Sequence, residues 1–225
     1  MRYMFGPSIM EKPSARTFFF GYGSLMYPSG INGRGMRKDY KKTDLQTAQL
    51  KGFARGLFAR SFNMCLYYGI KEDPTSVING VIFEVQDNYD YTRLMISEGA
   101  HVSFGEYSVY KLADVTDRIS AVNLPPDSKV FVVVPVTVTE VGFLPVEYVY
   151  RVWEGIQFWG KAFVKEFLAT GGRKYDKQLI EDRITYSRRF YKESAKITKL
   201  EVLSTHVRKR KGIRNSSKPA RQRLQ

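Results

Sequence analysis

The chain has 225 residues, 43% of them hydrophobic, and carries 36 Lys and Arg against 22 Asp and Glu, for a formal charge of +14. That apolar content supports a sizeable buried core, which excludes a largely unfolded chain, while no stretch approaches the roughly 18 apolar residues that span a bilayer and no secretory leader opens the sequence. A single cysteine, Cys65, excludes an internal disulfide and has no His or Cys companions at metal-ligand spacing, so the expectation is a cytoplasmic globule with no metal and no membrane partner, and Cys65 as a small buried side chain.

Residues 1–16 hold turn-forming pieces, Gly6-Pro7-Ser8 and Lys12-Pro13-Ser14, without periodicity, and read as a flexible lead-in. Near Thr17 a strand begins, and the run Phe18-Phe19-Phe20 breaks into Gly21-Tyr22-Gly23-Ser24-Leu25-Met26. A buried strand ending in a glycine turn presents backbone amides that a ligand can approach, and successive N–H groups around glycine form an anion-binding concavity. After a glycine-rich loop from Tyr27 to Gly35, the stretch Ala48 to Arg60 predicts a strand bent at Gly52. Tyr67-Tyr68-Gly69 leads through a polar turn at Glu72-Asp73-Pro74 into the β-branched run Ser76 to Val85, where Gly80 marks a bulge or the close approach of another backbone.

Between Asn88 and Ser97, Tyr91, Leu94 and Met95 share one face of a short helix that Gly99 stops, which places Glu98 at the helix end. Glu106 to Leu112 alternates as a half-buried strand, and Lys129 to Thr139 is another, with Pro135 favouring an edge or a bulge. Pro145 to Leu168 carries apolar residues at helical spacing, one helix or two, closed by Gly171-Gly172. Leu179 to Tyr191 suggests a further amphipathic helix with a basic outer face.

Charge is unevenly spread. Residues 183–225 hold 14 Lys and Arg against Glu193 and Glu201, whereas the other 182 residues are almost balanced. The organisation expected is a lead-in at 1–16, a domain at 17–182 and a basic helix and tail at 183–225 whose positive charge suits nucleic acid or another acidic partner. Strands and helices mingle without regular βαβ alternation, which points to an α+β architecture with a small curved or closed mixed sheet surrounded by helices. His101 and His206 stand in unrelated contexts and read as surface or local-packing residues.

Taken together, Tyr22-Gly23-Ser24-Leu25-Met26, Leu50-Lys51-Gly52-Phe53, Val77 to Phe83, the triplet Leu94, Glu98 and Gly99, and Pro145-Val146-Glu147-Tyr148 followed by Gly155 and Gly160 resemble the γ-glutamylcyclotransferase-like superfamily, which includes the AIG2-like proteins. The resemblance covers roughly residues 17 to 170. It implies a γ-glutamylcyclotransferase-like fold and a cofactor-independent enzyme that cyclises a small γ-glutamyl amine or amide to 5-oxoproline and releases the amine. On this likeness Glu98 is the acid/base, Tyr22, Gly23, Ser24, Leu25 and Met26 are the substrate cradle, and Tyr107, in the place of the strand tyrosine, and Tyr148 line the ligand. Internal attack of this kind needs orientation more than a strong nucleophile. A base useful near neutrality also needs a raised pKa, so Glu98 is expected in a pocket with apolar and aromatic walls. Two departures stand out: Met95 occupies a position where the family has Asp, and the His-Arg-Gly-type segment of the glutathione-specific branch is missing around Ser61 to Tyr68. The first supports a second reading, a non-catalytic member of the fold that binds an acidic partner through residues 183–225; the second disfavours glutathione as substrate.

Overall fold

A computed structural model describes residues 2–4, 9–60, 65–100, 103–104, 107–108, 110–140, 142 and 145–171. The amphipathic segment after Leu179 and the basic region 183–225 lie outside the described residues. The main element is a mixed seven-stranded sheet that curls into a half-barrel, with strand order β1-β7-β9-β2-β4-β3-β8. Its strands are β1 (Arg2–Met4), β2 (Arg16–Gly21), β3 (Leu45–Arg60), β4 (Leu66–Glu84), β7 (Tyr110–Asp114), β8 (Ile119–Ser120) and β9 (Ser128–Pro135). A separate two-stranded piece joins β5 (Ser103–Phe104) to β6 (Tyr107–Ser108). Within the main sheet β2 runs parallel to β9 and antiparallel to β4.

Two apolar clusters explain why the phenylalanine run of β2 has no polar alternation. Phe18 and Phe20 point into a cluster built mainly from the strands, with Leu50, Phe53, Ile78, Ile82, Val130 and Val132. Phe19 points the other way, into a cluster shared with the helices through Ile31, Tyr91, Leu94, Val152 and Phe167. A strand covered on both faces reads as a continuous hydrophobic run, and each buried side chain of this size contributes about 2 kcal/mol. The helices of the outer layer are α1 (Pro28–Asn32), α2 (Asn88–Ser97), α3 (Val146–Phe158) and α4 (Lys161–Thr170). None of the described helices is long and apolar enough to cross a membrane.

Several local expectations hold in the structure. Gly52 sits at φ +81, where the β3–β4 register shifts between Lys51 and Phe53. Gly80 allows β2 to approach: a Cβ there would lie 2.5 Å from the Gly21 carbonyl oxygen and from the Phe20 ring. Asp87 caps α2 by accepting from the Asp90 amide, and Gly99, at φ +70, ends the turn after it.

Others are corrected. Arg2–Met4, expected in an unstructured lead-in, forms an edge strand against β7, and buried Ile9 offers its carbonyl to the Tyr91 hydroxyl. The polar turn at Glu72-Asp73-Pro74 does not separate two strands. It is an outward bulge within β4, opposite Gly52, pinned by the Asp73 carboxylate on Thr75 and Ser76. The strand foreseen through Thr139 stops at Pro135, which has no N–H to extend the ladder. The segment foreseen as one strand from Glu106 is divided between β6 and β7. Pro145 to Leu168, open in the sequence between one helix and two, is not a correction but a choice between them: it forms two helices, parted at Gly160 with φ +89.

Candidate active site

Where β2 runs out, the chain turns sharply under the ends of α2 and α3. A Cβ on Gly21 would meet the Leu25 carbonyl oxygen at 2.6 Å, so the turn folds tightly onto itself. Gly23 is required by a side chain: a Cβ there would lie 2.8 Å from the Tyr148 hydroxyl. Met26 N donates to the Gly23 carbonyl, while the amides of Gly23, Ser24 and Leu25 have no acceptor among the described residues.

This turn forms one wall of a cavity of about 460 Å³, also lined by Phe19, Arg34, Tyr67, Tyr68, Leu94, Ser97, Glu98, Tyr110, Val133 and Tyr148, with Glu147 and Arg151 from α3. The lining is aromatic and apolar with a few convergent polar groups, the usual character of a small-molecule site. Glu98 and the turn line the same cavity. Helix α2 fixes the position, because Tyr91, Leu94 and Met95 anchor its inner face in the core and the Glu98 amide closes the last turn on the Leu94 carbonyl. Met95 is fully buried among apolar side chains.

The electrostatic partner of Glu98 comes from elsewhere. Arg34 Nη2 lies 3.0 Å from Glu98 Oε1 and donates to Ser24 Oγ at 2.7 Å, which links acid, cation and turn in one chain of contacts. The Arg34 N–H is not aimed along the line to Oε1, and this oxygen, sealed from solvent, makes no hydrogen bond to a described residue. Burial pushes the Glu98 carboxyl above its ordinary pKa, with Arg34 pulling the other way and losing. That ordering is physically sensible, since an imperfectly aimed pair recovers only part of the desolvation cost.

The tyrosines are held as neutral phenols. Tyr22 donates to the Val133 carbonyl at 2.7 Å, and Tyr148 Oη accepts from the Tyr68 amide at 3.1 Å. Burial raises both well above the usual phenol value, with Glu98 adding to the rise, and Tyr110 is pushed up to about 12 for the same reasons. Near neutrality they keep their protons and wall the cavity rather than acting as bases.

Of the residues foreseen from sequence, Tyr22, Gly23, Ser24, Leu25, Glu98 and Tyr148 meet at one cavity. Met26 does not line it. Its side chain is fully buried in the core and its carbonyl accepts from Trp159 Nε1. The side chain of Tyr107 lies outside the described residues; Tyr110, at the start of β7, lines the cavity. Sequence reasoning missed Arg34, Tyr67, Tyr68 and Arg151. Arg34 sits in the glycine-rich loop, where Gly33 and Gly35 flanking a cation were the available signal. Among the described residues no group of three or more His, Cys, Asp or Glu side chains is arranged to hold a metal ion.

No protein-family model and no curated protein matches the chain. Among solved structures, it is similar to YkqA from Bacillus subtilis, with a TM-score of 0.52 and 19% identity over 69% of this chain and 54% of that one, so it spans about half of YkqA. At that identity the likeness is one of fold. A structure described as a gamma-glutamyl cyclotransferase aligns with a TM-score of 0.47 and 15% identity, over 76% of this chain and 98% of that one. An uncharacterized protein from Homo sapiens gives 0.46 and 14%, over 75% and 97%.

Proposed function

On the premise that this chain carries the γ-glutamylcyclotransferase-like fold, we propose that it cyclises a γ-glutamyl amine or amide, releasing 5-oxoproline and the free amine. The observation that carries this reading is one spatial relation: a half-buried carboxyl, Glu98, and the Gly23–Leu25 turn, whose amides have no acceptor among the described residues, line the same cavity of about 460 Å³.

Chemistry follows from that relation. The substrate's α-ammonium gives a proton to the Glu98 carboxylate, and the freed amine attacks the γ-carbonyl carbon to form the ring C–N bond. As the carbonyl oxygen gains charge, turn amides of Gly23, Ser24 and Leu25 supply donors fixed in advance, which need no reorganisation as the reaction proceeds. Glu98 then returns its proton to the departing nitrogen as the old C–N bond breaks, and the second proton left on the ring nitrogen passes through the same carboxylate to the freed amine, which departs as an ammonium. One carboxyl with a raised pKa serves both steps because it is a better proton acceptor than an exposed Glu and still a competent donor. Tyr22, Tyr110 and Tyr148 wall off water and fold the γ-glutamyl arm back on itself, and such alignment supplies much of the rate of an internal attack.

The test is 5-oxoproline release from a panel of γ-glutamyl amines, followed by mass spectrometry, with the parent protein and Glu98→Gln. The variant is expected to keep its far-ultraviolet circular dichroism and to lose about 10²- to 10⁴-fold in turnover. Equal turnover of variant and parent, or no release from any member of the panel, would remove the assignment.

A further inference from the structure

We propose that Asp90 is a positioning residue for Glu98: by clasping the backbone of the loop that carries Arg34, it holds the guanidinium beside the acid and so governs when that carboxyl carries charge. In its catalytic meaning this rests on the cyclisation reading and deepens it, because Glu98 is the proton carrier there.

Asp90 stands in the first turn of α2, where an acid ordinarily serves the open amides of its own helix. Asp87 performs that task, since its carboxylate accepts from the Asp90 amide. Asp90 itself is 2% exposed, and its two oxygens accept from the loop instead, Oδ1 from the Arg37 amide at 2.6 Å and Oδ2 from the Lys38 amide at 3.2 Å. Two donors need two acceptors, and a carboxylate supplies both without offering a donor of its own. Two further contacts press the same loop onto α2. The Arg37 guanidinium lies 4.2 Å from the centre of the Tyr89 ring, and the Arg93 side chain packs over Gly35, where a Cβ would meet Nη2 at 2.8 Å. At the far end of the loop, Asn32 clasps Tyr40 through its side-chain amide in both directions. The loop from Arg34 to Lys38 is therefore docked on the helix that ends at Glu98. This docking, rather than the hydrogen bonding of the pair itself, accounts for the 3.0 Å between Arg34 Nη2 and Glu98 Oε1, an oxygen that accepts no hydrogen bond from a described residue.

The sign of the effect separates positioning from simple charge. Glu98 is faced by Arg34 from the loop, Tyr22 from the turn after β2, Tyr110 from β7 and Tyr148 from α3. The three phenols keep their protons near neutrality, while Glu147 and Arg151 of α3, which line the same cavity, are exposed and screened by solvent. Arg34 is thus the charge that opposes burial at this carboxyl, and loosening its loop makes the proton harder to remove. Loss of the Asp90 charge alone acts in the opposite sense, because removing a negative charge makes a neighbouring acid easier to ionise. That direct effect is weak, since eight residues of helix rise about 12 Å.

Nuclear magnetic resonance titration of the Glu98 side-chain carboxyl, in full-length protein labelled with carbon-13 at that position of its glutamates, tests this; the signal is assigned by its loss in Glu98→Gln. Asp90→Asn, which keeps one acceptor and turns the other into a donor facing a loop amide, should raise the midpoint by about one pH unit, the lower end of what a cation in contact does to a carboxyl. Arg34→Met should raise it at least as far, and adding Asp90→Asn to Arg34→Met should raise it no further, because the two act through one contact. If circular dichroism shows that Asp90→Asn has lost its fold, Gly35→Val decides. A β-branched residue does not hold φ +73, so the loop lifts from α2 with Asp90 intact and the midpoint should rise likewise. A midpoint unchanged or lowered in the folded variant, or an undiminished further rise in the double variant, overturns the inference. The acid limb of kcat/KM for 5-oxoproline release should move upward with the midpoint. A raised midpoint with no release of 5-oxoproline by the parent would remove the reaction and leave the positioning; release with an unmoved midpoint would do the reverse.

Discussion

Glu98 is placed where its charge is least welcome, at the end of a helix whose preceding turn is locked in the core, with one cation in reach but not well aimed. Its folded pKa lies above the ordinary 4.5 because burial outweighs Arg34. A carboxyl of this kind holds its proton more tightly folded than unfolded, so its contribution to stability is fully present below the unfolded value and is lost as pH rises through the folded one. Urea midpoints of the parent, compared with Glu98→Gln, should therefore fall as the pH rises above 4.5, the parent losing ground to the variant. Parallel pH curves for the two proteins would show that the folded site does not disfavour the charged carboxyl.

At the level of elements, the site exists because strand and helix ends are set by backbone features with little freedom. Gly21 permits a turn whose own backbone would collide with a Cβ, Gly23 leaves room for the Tyr148 hydroxyl, and Gly99 stops α2 in time to leave Glu98 at the cavity wall. The break between α3 and α4 rests on Gly160 at φ +89, with nothing within 4 Å of where its Cβ would stand. Gly160→Ala thus isolates backbone strain from crowding. It should cost about 1–2 kcal/mol, read from the denaturation midpoint at constant slope, while turnover changes little. An unchanged midpoint would mean that the left-handed conformation is not what parts these helices.

Across the whole molecule, a guanidinium ties the sheet to the helix layer. Arg55, fully buried in β3, donates to the backbone and side chain of Asn79 in β4 and to Phe167 and Thr170 in α4, and its charge lies 3.5 Å from the centre of the Phe167 ring. Asn79 donates in turn to the Phe163 carbonyl, and Gln49 reaches Glu166. Removing one member of such a network strands the others in a medium of low polarity. Arg55→Met is expected to cost about 3 kcal/mol and to lower the melting temperature by about 6–12 °C in a scanning measurement. A shift within error would mean that the layers are held by apolar packing alone.

What the sequence determined by itself was local. The phenylalanine run, the glycine turn after it, the face of α2 with Glu98 at its end and the bend at Gly52 follow from spacing, propensity and φ preference, which act over a few residues. The curl of the sheet was legible only as a class, from strands and helices that mingle without βαβ order. Tertiary structure alone decided that Arg2–Met4 pairs with a strand more than a hundred residues away, that Asp73-Pro74 bulges out of one strand instead of ending it, and that Tyr110 stands in the wall of the cavity. It also brought Arg34 to Glu98, 64 positions along the chain. No periodicity records such a pairing, because it depends on where two rigid elements come to rest on a curved sheet, and that is fixed by the sum of all contacts in the core.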